Sequence, residues 1–326
     1  MPYNNIISRA DAASLVPVEI SNEILANLPE MNPIMRLARR LPNMSTNQRR
    51  LPIMSALATA YFVTGDTGLK QTSEVNWANR FVDAEELAVI VPIPEAVLDD
   101  ASYDIWGEIR PEMERALSIA ITNAVISGTN IPATWTVDLN GAAGLVAGAT
   151  AAAQTLSLLA YADLYEALLG MTGAGVLGTF MAVEAQGFAV TGTIAHPGVK
   201  GALRNVRDIN GMPIFKANMQ DPSRYDLDGT PIYFASDGTM PAATCTAIMG
   251  QWDQLVYSMR QDITYKILDQ AVIQDATGAI VYNLAQQDMV AMRAVIRLGF
   301  ALPNPPTRMN VAGAAAARFP FAVLTP

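Results

Sequence analysis

The chain holds one histidine and one cysteine, His196 and Cys245, the first residues whose types could do chemistry together. A histidine that takes a thiol proton creates a thiolate nucleophile. Here the cysteine lies in the apolar stretch "TCTAIMG", where a buried cysteine is an inert small hydrophobe. Structural zinc needs about four nitrogen or sulfur ligands, which one His and one Cys cannot supply. "GAGVLG", Gly173 to Gly178, matches G-x-G-x-x-G. A dinucleotide site needs that pattern after a strand and opening a helix, and here the order is reversed, so the glycines read as turns. Acids pair up in "DAEE" (83–86) and "LDD" (98–100), which could serve acid–base chemistry or hold Ca²⁺ or Mg²⁺. Both adjoin strongly apolar segments and read as a solvated edge or a helix N-terminal cap. Tyr103, Trp106 and Met113 read as core or interface side chains. No G-x-S-x-G elbow and no phosphate-binding G-x-x-x-x-G-K-[ST] loop occurs. The expectation is no enzyme, no cofactor and no metal.

The elements that would carry such residues are then the informative level. Of 326 residues, 51% are hydrophobic and only 16% charged. That is a low ion density for a monomer's surface and points to area buried between subunits. No apolar run approaches the roughly 20 residues of a membrane span, and the first residues lack a signal peptide's basic and apolar regions. A lone cysteine suits a reducing compartment. The formal charge of −9 opposes a protein that grips nucleic acid, which needs a basic stripe. The densest basic stretch, "RLARRLPNMSTNQRR" (36–50), reads as an exposed or interfacial segment that bridges acidic neighbours.

"VPVEISNEILANLPE" spaces Val18, Ile20, Ile24 and Leu28 as a helix ended by Pro29, after a free arm. "FVTGDTGLKQTSEVNW" (62–77) reads as two short strands and a polar turn, with no clean apolar face. A two-stranded ribbon needs cover, so this one calls for another chain. "LAVIVPIP" is a strand entering a short helix. In "ASYDIWGEIRPEMERALSIAITNAVISG", Ile105, Ile109, Met113, Ala116, Leu117, Ala120, Ile121, Ala124 and Val125 share one helical face, with Gly128 as the stop. Pro111 predicts a kink or a fresh start there. Residues 129–155, including "TWTVDL", read as loop and strand, and "LSLLAYADLYEALLGM" as an amphipathic helix. "TFMAVEAQGFAVTGTIAHPGVKGALRNVRD" reads as a strand and then a helix after Pro197, and the remainder as strands and turns. Helices and strands mix without a parallel βαβ rhythm, which is α+β.

This order resembles the major capsid protein of tailed bacteriophages, the Hong Kong 97-like fold. "VPVEISNEILANL" is similar to its arm helix. "DTGLKQTSEVNWANRFVDAEELAVIVPIPEAVLDDASYDIWGEIRPEMERALSIAI" is similar to its extended loop, strand and spine helix. "GTIAHPGVKGALRNVRDINGMPIF" and "DGTPIYFASD" resemble the axial domain. "AIMGQWDQLVYSMRQDITYKIL" and "AQQDMVAMRAVIRLGFALPNP" resemble the return to the peripheral domain. The resemblance implies an arm over 1–40 and an extended loop over 41–82. It also implies a peripheral domain over 83–157, an axial domain over 158–245 and a return over 246–326.

It further implies a self-assembling shell of pentamers and hexamers in the virion, built in the bacterial cytoplasm around double-stranded DNA. A separate scaffolding protein, a portal and a decoration protein are the implied partners, with no membrane. The extended loop would lie on a neighbouring subunit, which makes Thr67, Leu69, Lys70, Glu74, Trp77, Arg80, Arg39 and Arg40 the candidate inter-subunit contacts. Some relatives join subunits through an isopeptide bond between a loop lysine and an asparagine, with a glutamate as base. Lys70 aligns with the donor, but Asp288 and Val295 stand at the other two positions, so no crosslink is expected. An encapsulin-type cargo shell of the same fold is the rival reading, and a soluble α+β enzyme a more distant one.

Overall fold

The structure is a computed structural model. It describes residues 32–63, 68–70, 72–100, 105–161, 163–170, 178–207, 210, 212, 225–240, 243–310 and 318–326. The arm helix expected near residues 16–28 and most of "GAGVLG" lie outside them.

Along the chain, a short helix α1 (Pro33–Leu37) is capped by Asn32, whose side chain accepts from the Ile34 and Met35 N–H groups. Strands β1 (Arg39–Arg40), β2 (Gln48–Met54), β3 (Trp77–Asp83) and β4 (Glu85–Pro94) follow. Next come α2 (Glu95–Asp100), the long helix α3 (Ile105–Ser127), α4 (Ala133–Asp138), α5 (Leu145–Ala151) and β5 (Thr155–Ser157). Helices α6 (Leu164–Leu169) and α7 (Thr179–Glu184), strand β6 (Gly192–Ala195) and helix α8 (Pro197–Asn205) precede β7 (Tyr225–Leu227) and β8 (Thr230–Phe234). The chain closes with β9 (Ala247–Gly250), β10 (Val256–Leu268), β11 (Val272–Gln274), β12 (Ile280–Asn283), β13 (Met289–Ala301) and β14 (Phe321–Thr325).

Two sheets and two free ribbons result. A four-stranded sheet runs β1-β10-β13-β4, and a six-stranded mixed sheet runs β5-β14-β9-β6-β8-β7. The second draws β5, β9 and β14 from segments flanking residues 158–245, so the two halves of the molecule are tied by chain crossings. The ribbons are β2-β3 and β11-β12.

The long helix follows its apolar pattern. Trp106, Met113, Leu117, Ile121 and Val125 are buried against the four-stranded sheet, with Leu87, Val89 and Val91 of β4 packed beside them. Helix α3 continues through Pro111 without the fresh start that was one expectation there. The ring lies on the exposed face, and burial of the opposite face over six turns outweighs a cost of about 3 kcal/mol. Gly128 ends the helix at φ +71°, and a Cβ there would fall on the Ala143 carbonyl.

Three local expectations are corrected. "TWTVDL" is helix α4 rather than strand, because Pro132 opens it and Trp135 and Leu139, four apart, are buried together. "TFMAVE" is helix α7, whose Phe180 and Val183 share one buried side. "LSLLAYADLYEALLGM" is helical only from Leu164 to Leu169 in α6; its first part forms β5 and a single 3₁₀ turn.

Candidate assembly interface

The extended segment is built differently from its expected form. Residues 61–63, 68–70 and 72–76 carry no strand. The paired strands lie outside them, with Gln48 opposite Asp83 and Met54 opposite Trp77. Beyond this ribbon the two arms run side by side. The Ser55 N–H donates to the Asn76 carbonyl at 2.7 Å, and the Thr59 N–H to Ser73 Oγ at 2.7 Å. Arg308 donates to the Ala58 carbonyl from the same chain.

Period-two alternation splits the ribbon into two faces. Arg49, Leu51, Ile53, Ala78, Arg80 and Val82 point toward the molecule, and Val82 and Leu51 join a small core with Met44, Ala84, Val256 and Ala301. The other face carries Arg50, Pro52, Met54, Trp77, Asn79 and Phe81, all exposed. Trp77 is 70% exposed and pairs across the ribbon with Met54 at 37%; Phe81 is 39% exposed beside Arg50. Large apolar side chains side by side on a free sheet face mark an interaction surface.

A polar cluster anchors the root of the ribbon. Asp138 Oδ2 accepts the Asp83 N–H at 2.9 Å, Trp135 Nε1 donates to the Asp83 carbonyl at 3.1 Å, and Arg80 donates to Asn140 Oδ1 at 2.8 Å. Thr134 adds a bond to Glu85 at 2.7 Å. Burial raises the Asp138 carboxyl to about 6; the neighbouring carboxylates Asp83 and Glu85 push the same way, against the Asp83 hydrogen bond and Arg80. A second buried acid, Glu114 of α3, is also raised by burial and accepts from the Tyr265 hydroxyl at 3.4 Å.

The sequence-derived contact residues fall as follows. Leu69 is 90% exposed, and Lys70 and Glu74 are exposed; Thr67 lies outside the described residues. Trp77 is on the outward face of the ribbon and Arg80 on its inward face, in the root cluster. Arg39 and Arg40 form β1, parallel to β10, with exposed side chains and Arg40 donating to Asn43 at 3.3 Å. Arg50 lies in the basic stretch read as exposed or interfacial, but sequence reading passed over Pro52, Met54 and Phe81, although the alternation in "QRRLPIM" and "WANRFVD" carried the signal. It also passed over Asp138, whose partner lies 55 residues away.

The residues first weighed for catalysis are used otherwise. His196 caps α8, its Nδ1 accepting the Gly198 N–H at 3.0 Å, while its own N–H bonds the Thr246 carbonyl at 2.9 Å. Cys245, the next residue back, is fully buried, and burial pushes its thiol up to about 12, far from a reactive thiolate. Gly178, the last residue of "GAGVLG", caps the short helix α7. Of the acid pairs, Asp99 and Asp100 end α2 instead of capping a helix start, and Glu86 approaches Arg297 at 3.9 Å. Among the described residues no group of three or more His, Cys, Asp or Glu could hold a metal ion, and no helix is long and apolar enough to cross a membrane.

Comparison with known proteins agrees with this architecture. The phage capsid family matches residues 12–306. A solved structure from Microbacterium phage Oxtober96 is 30% identical with a TM-score of 0.74, over 98% of this chain and 99% of its own. One from Mycobacterium phage Bobi is 30% identical with a TM-score of 0.73, over 98% of each chain. The capsid of a native GTA particle, 17% identical over 97% of this chain and 96% of its own, shares the fold at a TM-score of 0.55. No curated protein matches the chain. The chain belongs to the phage capsid family. It is a major capsid protein of the Hong Kong 97-like fold, a structural protein of the virion that assembles into a multimeric shell.

Proposed function

We propose that this chain forms the shell around a double-stranded DNA genome in the host cytoplasm, and that it does so without enzymatic activity. The observation that carries the reading is the extended segment with its ribbon, whose large apolar side chains Met54, Trp77 and Phe81 stay exposed on the outward face. A neighbouring protomer gives that surface its partner. Leu69, Lys70, Glu74 and Trp77 would then lie between subunits, together with Thr67, and Arg39, Arg40 and Arg80 would hold the root of the loop. The proposed division is into arm (1–40), loop (41–82), peripheral region (83–157 and 246–326) and axial region (158–245). A core of its own around α6, α8 and β8 supports the axial region, while the larger core around α3 also takes in Ile194, Ala235, Met240 and Cys245.

Net charge supports the DNA reading. A chain of −9 lines a container that repels phosphate and leaves the genome free to move. Scaffolding, portal and decoration proteins complete the proposed set of partners. Electron microscopy of the purified chain, alone and with its phage's head-assembly proteins, tests the shell: closed particles or capsomers are expected. Nuclease-protected DNA inside particles from infected cells tests the contents. A monomer at every salt and protein concentration, with no particles in the presence of the assembly proteins, would sink the reading.

A further inference from the structure

The ribbon and the four-stranded sheet meet at one residue. Strand β3 ends at Asp83 and β4 begins at Glu85, with only the buried Ala84 between them. A joint this short turns about two soft dihedrals per residue unless its backbone groups are held. Here they are held from three sides. Helix α4 presents Thr134, Trp135 and Asp138, which share one face at spacings of three and four. Trp135 and Asp138 take the carbonyl and the N–H of Asp83, and Thr134 takes the Glu85 carboxylate. The Ala84 N–H donates to the Asn47 carbonyl at 2.9 Å, and Asn47 Oδ1 accepts from Arg297 of β13 at 3.1 Å. The second strand of the ribbon is thereby tied to the same sheet. Gly299 of β13 forms the floor, since a Cβ there would fall on the Asp83 carbonyl.

One point of attachment leaves a lever free to swing, whereas two separated points fix its direction. The second point is Arg80, three residues outward on β3 and roughly 10 Å along the strand. Its guanidinium donates to Asn140, just past the end of α4. The helix is itself fastened to β13: Trp135 packs edge-on against Phe300 with ring centroids 5.3 Å apart, and the Leu302 N–H donates to the Asp138 carbonyl at 2.9 Å. We propose that α4 is a positioning element for assembly: by gripping both backbone groups of Asp83, and Arg80 further out, it fixes the direction in which the ribbon leaves the molecule. Order imposed before association need not be supplied by association, so an aimed ribbon joins copies more tightly than a swinging one. This assignment rests on the shell reading above and adds the residues that aim the ribbon.

Spin labels on Asn79→Cys of the ribbon and Arg115→Cys of α3, both exposed positions, read that direction as a distance distribution in the unassembled full chain. Cys245 is buried and takes no label. The labelled parent should give a narrow distribution. Trp135→Phe with Asp138→Ala keeps a ring on Phe300 and removes both bonds to Asp83. It should widen the distribution about twofold. Circular dichroism should not change, and the yield of closed particles should fall about tenfold. Asp138→Asn keeps an acceptor for the Asp83 N–H and should match the parent in both readouts. Loss of stability alone would lower the melting temperature without widening the distribution of the folded subunit. Should the double change unfold the chain, each single change carries the same measurement. A distribution as narrow as the parent's would overturn the proposal, and so would a widened one that still builds shells at the parent's yield. A parent chain that never assembles counts against the shell reading instead, and the distances then decide the grip on the ribbon by themselves.

Discussion

Asp138 is the residue whose ionisation costs the native state most visibly. Its carboxyl, raised to about 6 from 3.8, sits among Asp83, Glu85 and Arg80. The native protein therefore binds a proton more tightly than the unfolded chain between those values. The stability linked to that proton is complete below pH 3.8 and is lost as pH rises through about 6. Asp138→Asn keeps an oxygen for the Asp83 N–H and removes the charge. It should stabilise the subunit at pH 7 by roughly 1–3 kcal/mol and flatten the thermal midpoint between pH 4 and 6. A variant whose melting curve tracks the wild type at every pH would show that Asp138 stays charged without penalty. Cys245 gives a second residue-scale prediction. Its buried thiol should resist a maleimide at pH 8 in the folded subunit and react once in denaturant; fast labelling of native protein would contradict its burial.

At the scale of elements, the molecule separates what holds the fold from what reaches outward. Helix α3 and the four-stranded sheet bury Met113, Leu117, Ile121, Met292, Ala294 and Ile296 in one core, none of it supplied by the extended segment. Replacing residues 64–76 with a short Gly-Ser turn should spare that core, so thermal unfolding of the isolated subunit should move by less than about 1 kcal/mol. Particle formation should fail, because on the proposed reading the contact area of these residues lies between chains. Light scattering and circular dichroism read the two halves together. Closed shells from the shortened chain, or a subunit that no longer folds, would count against this division of labour.

At the scale of the whole molecule no crosslink is expected, so the durability of the shell must come from many weak contacts repeated around it. By the resemblance drawn from the sequence, Asp288 and Val295 stand where an isopeptide crosslink would need a carboxamide and a base. Val295 lies within β13, paired with Thr264 and Ala88, where it cannot take up a proton. Boiled particles should therefore run as one band near 34.9 kDa. A ladder of multimers that survives reductant would show that another acceptor for Lys70 exists.

Much of this was legible in the chain because apolar periodicity is a local property. The long helix, the strand "LAVIVPIP", the β7–β8 turn and the helix after Pro197 each announce themselves within a dozen residues, and their order pointed to the fold. The ribbon was misplaced because its strands are separated by 22 residues, and pairing across such a gap depends on what the root packs against. "TWTVDL" alternates like a strand, yet burial of Trp135 beside Phe300, with ring centroids 5.3 Å apart, makes it a helix. The root cluster was invisible for the same reason. Asp138 is an ordinary acid in sequence, and only tertiary packing removes the water that kept it so.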